Sequence, residues 1–149
     1  MKFSIKKKFK NARCGFLELD HGSVQTPTFM TIGTYGSVKS LSYEDLLRCE
    51  CEIILCNAYH LMLRPGLDVI SKSEGLHKFM NWEKPILTDS GGYQVFSLGN
   101  NVKIKKDAAI FKSPYNGDEV IMTPERSIKT QIALGSDIMM IFDECTPYP

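Results

Sequence analysis

The sequence predicts an α/β protein whose short apolar strands alternate with helices and pair into a parallel sheet. Residues 138–142 form a continuous apolar run without polar alternation, and helical segments separate such runs along the chain. Strands of this kind are typical of a parallel sheet with helices on both faces. A closed (β/α) barrel needs about 250 residues. For a chain of 149 residues we therefore expect an incomplete barrel, and a complete, small, doubly wound sheet is the alternative.

The N-terminal residues follow a different pattern, in which apolar and polar side chains alternate. Residues 3–5 and 15–19 alternate in this way, and a turn is predicted at residues 21–23. We interpret residues 1–25 as a small antiparallel β cap that precedes an incomplete β/α barrel at residues 26–149.

Capping and turn signals separate the elements of the barrel region. Ser42 with the acids at 44 and 45 starts a helix that ends near residue 48. Thr123 with Pro124 starts another, which Gly135 ends. The remaining predicted elements are strands at 28–32, 52–56, 85–88 and 137–142, a helix at 67–74, and a hairpin of 109–112 and 119–122 around Asn116-Gly117.

Composition excludes several classes of protein. The net charge of +1 gives no global basic field, although a local patch would suffice for an RNA partner. The five cysteines lack the spacing of a disulfide framework, so we expect a reducing, cytoplasmic setting. No apolar run approaches the roughly 20 residues of a membrane span. Cys49 and Cys51 form an isolated pair, which is too few ligands for zinc, so we predict no metal site from these residues.

Two carboxylates follow predicted strands, Asp89 after residues 85–88 and Asp143 after residues 138–142. The carboxyl ends of parallel strands share one rim, where α/β proteins build their sites. We therefore expect these two side chains to converge on one ligand. Spacing alone leaves other interpretations open: Asp89 can belong to a simple turn or helix cap, and Asp143 can be a solvated strand end.

The residues after Asp89 suit a flat, polar ligand. They are Ser90, Gly91, Gly92 and Tyr93. Glycines allow close backbone approach and expose amide donors, while an aromatic ring stacks on a purine. A carboxylate can accept two parallel N–H bonds, which guanine offers. We interpret Asp143 as that acceptor and Asp89 as the group that handles protons.

Five segments of the chain resemble one enzyme family. They are residues 26–30 with 33–39, 57–61 with 64–66, 87–98, 111–113 with 123–125, and 135–147. Together they resemble the opening segments of tRNA-guanine transglycosylases, and the segment around Asp89 is the most specific of them. Thr31 and Ala58 depart from the family pattern, where proline and threonine are common.

The resemblance implies an irregular (β/α)8 TIM barrel that exchanges guanine at the anticodon wobble position of tRNA for a 7-deazaguanine base. In bacterial members that base is preQ1, 7-aminomethyl-7-deazaguanine, used in queuosine biosynthesis. Asp89 matches the catalytic acid-base aspartate, and Asp143 matches the residue that binds the guanine-type edge. Ser90, Gly91, Gly92 and Tyr93 match the lining of the base pocket. Cys145 matches a pocket position that favours preQ1 over queuine.

The resemblance also implies parts that lie downstream of residue 149. These are the nucleophilic aspartate, further base-binding residues and the zinc ligands of the family. We therefore expect zinc and a homodimer in the full-length protein, and no activity from residues 1–149 alone. Two alternatives remain from the residues: a glycoside hydrolase that uses Asp89 and Asp143 as its acid pair, and a non-catalytic paralogue or subunit.

Overall fold

The computed structural model describes residues 1–97 and 102–143. These residues form a mixed α/β structure with three separate sheets. The strands are β1 (Lys2–Phe9), β2 (Ala12–Leu19), β3 (Gly22–Thr26), β4 (Thr31–Ile32), β5 (Ile54–Cys56), β6 (Ile86–Thr88), β7 (Val102–Lys105), β8 (Ala108–Lys112), β9 (Glu119–Met122) and β10 (Ile138–Met139). The α-helices are α1 (Tyr43–Arg48), α2 (Ala58–Leu61), α3 (Leu67–Lys72), α4 (Leu76–Met80), α5 (Gly92–Ser97) and α6 (Pro124–Leu134).

The first sheet is antiparallel and has the order β1-β2-β3. All of β1 is exposed, whereas Val24 of β3 is buried. The turn predicted at residues 21–23 overlaps the start of β3, a strand that was not predicted. Val24 is the single apolar residue of that strand, so the sequence has no alternation of apolar and polar residues that would predict it.

The second sheet is parallel and has the order β10-β6-β5-β4. Ile54 pairs with Thr31 on one side and with Ile86 on the other, so these residues share a face. Helices α1, α3, α4 and α6 cover that face through the buried side chains of Leu46, Ile70, Leu76 and Leu134. This sheet positions the ends of β6 and β10 side by side.

The prediction of helices on both faces is wrong for the described residues. The opposite face carries Leu55 and Leu87, which are only half-buried, and Ile32, which is 56% exposed. The helices named above all pack on the first face. The apolar run of residues 52–56 therefore supplies side chains to one buried face of the sheet and to one partly covered face.

The predicted strand at residues 137–142 is also shorter in the structure. Only Ile138–Met139 pairs with β6, and Ile141 is 79% exposed. Residues 140–143 continue without strand pairing, and the backbone of Met140 bonds instead to the side chain of Gln131.

The third sheet is antiparallel, with the order β7-β8-β9, and covers a second core. The predicted hairpin is confirmed as β8 and β9, but β7 was missed. The buried members of this core are Tyr59, Met62, Val95, Ala109, Phe111, Val120 and Met122. Partly buried Phe142 also packs against it.

Helical structure begins earlier than predicted before α3. The chain is already helical at Ala58, and a kinked segment, Met62–Gly66, connects α2 to α3. Arg64 has extended backbone there, next to Pro65. Because proline and glycine normally mark a helix end, sequence reasoning started the helix only after them. None of the helices formed by the described residues has the length and apolar character that a bilayer crossing requires.

Replacement of Thr123 by alanine should destabilise the fold through α6. The Thr123 side chain accepts a hydrogen bond from the Arg126 amide at 3.1 Å, and Pro124 follows it as the first helical residue. Loss of such an N-cap costs about 1 kcal/mol. Urea denaturation should show this loss in free energy of unfolding for Thr123→Ala and little change for Thr123→Ser. Equal stability of the alanine variant and the wild type would contradict the cap's role.

Candidate active site

The carboxyl ends of β6 and β10 open into one cavity of about 290 Å³. Asp89 directly follows β6, and Asp143 lies beyond β10. The cavity is lined by Asp89, Ser90, Gly91, Gly92, Tyr93, Gln94, Met140, Ile141 and Asp143. The structure thus brings together every predicted site residue except Cys145, which lies outside the described residues.

Asp89 is held by groups at the end of the neighbouring strand β5. The Asn57 side-chain amide donates to Asp89 Oδ2, and the Ala58 backbone amide donates to Oδ1 at 2.9 Å. Burial raises the pKa of Asp89, and the bonds from Asn57, Ala58 and the Gly91 backbone partly oppose that rise. Because Ala58 acts through its backbone, the absence of threonine there leaves this contact in place. Sequence reasoning missed Asn57 as a partner of Asp89.

Asp143 is tied to the loop that follows β6. Ser90 Oγ donates to Asp143 Oδ1 at 2.5 Å and accepts from the Gly92 amide at 3.1 Å. A Cβ atom on residue 92 would lie 2.3 Å from the Asp143 carbonyl oxygen. Gly91 has a positive φ of +82°, which favours glycine. The glycines therefore permit close packing of the loop against Asp143, and the Gly92 amide is not the exposed donor that we predicted.

A buried glutamine on α6 joins the two strand ends. Gln131 is fully buried; its Oε1 accepts from Thr88 Oγ1 and from the Met140 amide, both at 2.9 Å. Its Nε2 donates to the Met140 carbonyl at 2.8 Å. One turn earlier, Ser127 donates to the Ser90 carbonyl at 2.7 Å. These contacts fix the loop after β6 relative to the segment after β10.

Two further side chains complete the cavity wall. Tyr93 lines the cavity and is 64% exposed. The Oε1 atom of Gln94 is buried and has no hydrogen-bond partner among the described residues. Such an orphan acceptor is costly unless a ligand satisfies it. Gln94 was not among the predicted site residues, although it directly follows Tyr93 in the segment that carried the prediction.

Comparison with known proteins decides the family. The family model described as "TGT: Queuine tRNA-ribosyltransferase" matches residues 8–149. The queuine tRNA-ribosyltransferases of Nitrosomonas eutropha and Thiobacillus denitrificans are each 56% identical to this chain, over 100% of it and 41% of their own length. That of Vibrio vulnificus is 54% identical, over 100% of the chain and 39% of its own length.

This chain belongs to the queuine tRNA-ribosyltransferase family. The resemblance found in the sequence is therefore confirmed. The chain spans about two fifths of the length of these curated relatives. All cavity-lining residues fall within the part that the family model matches.

Among the described residues of this family member, Cys56 and His60 are reactive side chains close to Asp89, and neither is arranged as a nucleophile. Burial, with the Asp89 charge in addition, raises the pKa of Cys56 to about 12, so this thiol stays protonated. Burial lowers the pKa of His60, while Asp89 acts in the opposite direction. The His60 ring lies against Tyr35 and Tyr59, with centroids 4.9 and 5.0 Å away. This packing agrees with a structural role for His60.

The Cys49 and Cys51 pair does not fit a zinc centre. Cys49 is exposed and Cys51 is buried. The Cys51 sulfur lies 3.2 Å from Thr31 Oγ1 and donates to the Ile53 carbonyl. Two thiols in such different environments do not provide a shared set of ligands.

Replacement of Gln131 by methionine should loosen both strand ends. Methionine fills a similar volume but makes none of the hydrogen bonds that Gln131 makes to Thr88 and to the Met140 backbone, and Thr88 keeps only its contact with Ser136. Each of these three hydrogen bonds contributes about 0.5–1.5 kcal/mol, so we expect a loss of about 2–4 kcal/mol in free energy of unfolding. The matched control is Ile132→Met on the same helix, where the side chain is 61% exposed. Chemical denaturation that gives the same loss for both variants would refute this role.

Proposed function

We propose that the full-length protein is a tRNA-guanine transglycosylase that exchanges guanine at the anticodon wobble position of tRNA for preQ1. The observation that carries the proposal is the shared cavity of Asp89 and Asp143 at adjacent strand ends, with exposed Tyr93 in its lining. The relatives are named for transfer of queuine to tRNA. That name supports tRNA as the macromolecular substrate and a 7-deazaguanine as the base.

The cavity offers complementary groups for a guanine-type base. Asp143 accepts from the ring N–H and the exocyclic amine, which are parallel donors. Gln94 Oε1 provides a further acceptor, and the Tyr93 ring stacks on the base. The preference for preQ1 over queuine rests on the sequence resemblance at Cys145, which lies outside the described residues.

Asp89 handles the proton in each half of the exchange. A carboxylate downstream attacks the ribose anomeric carbon, the bond to guanine breaks, and a covalent link to RNA forms. Asp89 protonates the departing guanine and later accepts the proton that the incoming base loses as its ring nitrogen attacks. A carboxyl group with a raised pKa is suited to such two-way proton transfer.

The rest of the enzyme is supplied by other parts of the full-length protein. We propose that downstream strands close the barrel beside β4 and β10, and that downstream residues hold the nucleophile and a zinc ion. The active form is a cytoplasmic homodimer, and residues 1–149 alone do not exchange guanine. A glycoside hydrolase is not favoured, because the chain matches the queuine tRNA-ribosyltransferase family throughout its length.

Substitution of the two carboxylates should separate catalysis from base binding. In the full-length protein we expect Asp89→Asn to abolish exchange of labelled guanine into tRNA, because no group transfers the proton. Asp143→Ala should chiefly raise the KM for the base. Asp107→Asn, in the exposed turn before β8, is the matched control and should retain wild-type rates. Wild-type exchange by the Asp89 variant would remove the catalytic role.

Removal of Asn57 should shift the pH dependence of exchange. The Asn57 amide lowers the pKa of Asp89, so Asn57→Ala should raise that pKa further. Because acceptance of the proton from the incoming base requires ionised Asp89, the acidic limb of the kcat/KM profile for that base should move to higher pH. Asn11→Ala, in the exposed β1–β2 turn, should leave the limb in place. An unshifted limb in the Asn57 variant would show that Asp89 does not control this ionisation.

A further inference from the structure

Three potential metal ligands meet at the end of the parallel sheet opposite Asp89. His21 comes from the turn before β3, His77 from α4, and Asp137 from the residue before β10. His21 Nδ1 lies 2.9 Å from Asp137 Oδ1, and His77 Nε2 lies 3.2 Å from Oδ2. All three ligand atoms lie within 4.8 Å of one another. No part of the proposed transglycosylase reaction uses them.

The Asp137 carboxylate is rigidly placed. Its side chain is fully buried. The backbone amide of His21 donates to Oδ1 at 3.0 Å, and that of Ile86 donates to Oδ2 at 2.9 Å. The Asp137 amide in turn donates to the Ile86 carbonyl at 2.9 Å. Hydrogen bonds of this kind orient a carboxylate ligand before a metal arrives.

His77 presents an unsatisfied nitrogen to this carboxylate. Its Nε2 atom is buried and, despite its closeness to Asp137, has no hydrogen-bond partner among the described residues. The His77 ring also has a hydrogen-bond contact with the Lys84 backbone. A metal-binding histidine typically donates one ring N–H to a carbonyl, and the other ring nitrogen then has a lone pair for the ion. A cation would satisfy both that lone pair and the carboxylate.

We propose that His21, His77 and Asp137 form a binding site for a divalent transition metal, with zinc as the best-suited ion. Two imidazoles and one carboxylate are typical zinc ligands, with water as the fourth. Magnesium and calcium prefer oxygen ligands throughout. Bound zinc would join the antiparallel sheet β1-β2-β3 to α4 and to the start of β10.

The geometry also defines the movement that binding requires. Tetrahedral ligand atoms about 2.1 Å from zinc lie about 3.4 Å from one another, so a pair of ligand atoms 4.8 Å apart must approach by roughly 1.4 Å. The two imidazoles stack with centroids 3.6 Å apart and planes 15° from parallel, so one ring must rotate to direct its lone pair at a shared ion. His21 is the ring that can rotate, because its side chain is 42% exposed.

Zinc titration of the full-length protein tests the site. The wild type and His21→Ala are stripped with a chelator, titrated with zinc chloride and assayed for bound zinc by mass spectrometry. We expect the wild type to bind about one equivalent more than His21→Ala, since three protein ligands are needed. Zinc bound elsewhere in the full-length protein contributes equally to the wild type and to His21→Ala, so it does not affect the difference between them. Zinc should also raise the Tm of the wild type more than that of the variant, because ligand binding stabilises the folded state.

Two controls keep the result interpretable. Cys49→Ser removes the exposed thiol and should retain the additional equivalent. His77→Gln removes the second imidazole and should lose it. Equal zinc uptake by the wild type and His21→Ala would overturn the proposal and leave the cluster as a hydrogen-bonded contact only. Loss of the additional equivalent in Cys49→Ser would also overturn it, because the ion would then lie on cysteine.

Discussion

The arrangement of the site depends on one buried side-chain amide. Met140 lies just past the short strand β10, where sheet pairing has ended, and Gln131 takes over both of its backbone hydrogen bonds. The same amide accepts from Thr88 on β6. A buried amide is tolerated only when its hydrogen bonds are made, and once made they rigidify their surroundings. The short pairing of β6 with β10 and this helix side chain therefore together set the spacing between the two acidic loops.

Within that frame, two opposing influences act on Asp89. Burial favours the protonated carboxyl group, whereas donors from Asn57 and Ala58 favour the carboxylate. Because the donors sit at the end of β5, the parallel register of β5 and β6 brings them to Asp89. The sheet thus supplies both the burial and the compensating donors. A carboxyl group under such opposing influences is well placed to take up and release a proton.

The sequence predicted those features whose cause is local. The caps at Ser42 and Thr123 and the β8–β9 hairpin follow from short-range chemistry, and the structure confirms them. The shared rim of Asp89 and Asp143 followed from a topological rule. The roles of Asn57 and Gln131 could not be predicted from the sequence. Asn57 contacts Asp89, more than 30 residues away. Gln131 bonds to Met140, whose lack of a strand partner is not visible in the sequence. The prediction that helices cover both faces of the parallel sheet was wrong for a similar reason. An apolar run does not show which elements pack on each face of a strand.

The division of the interior into two cores affects the site in a way that its lining residues do not show. No residue of the β8–β9 hairpin lines the cavity. Yet Phe142, the residue before Asp143, packs against the hairpin core, and Gly91 lies close to Met122 of that same core. Any loosening of the hairpin would shift both acidic loops together. The hairpin therefore supports the site from a distance. A substitution that weakens its packing would displace Asp89 and Asp143 although it removes no residue that lines the cavity.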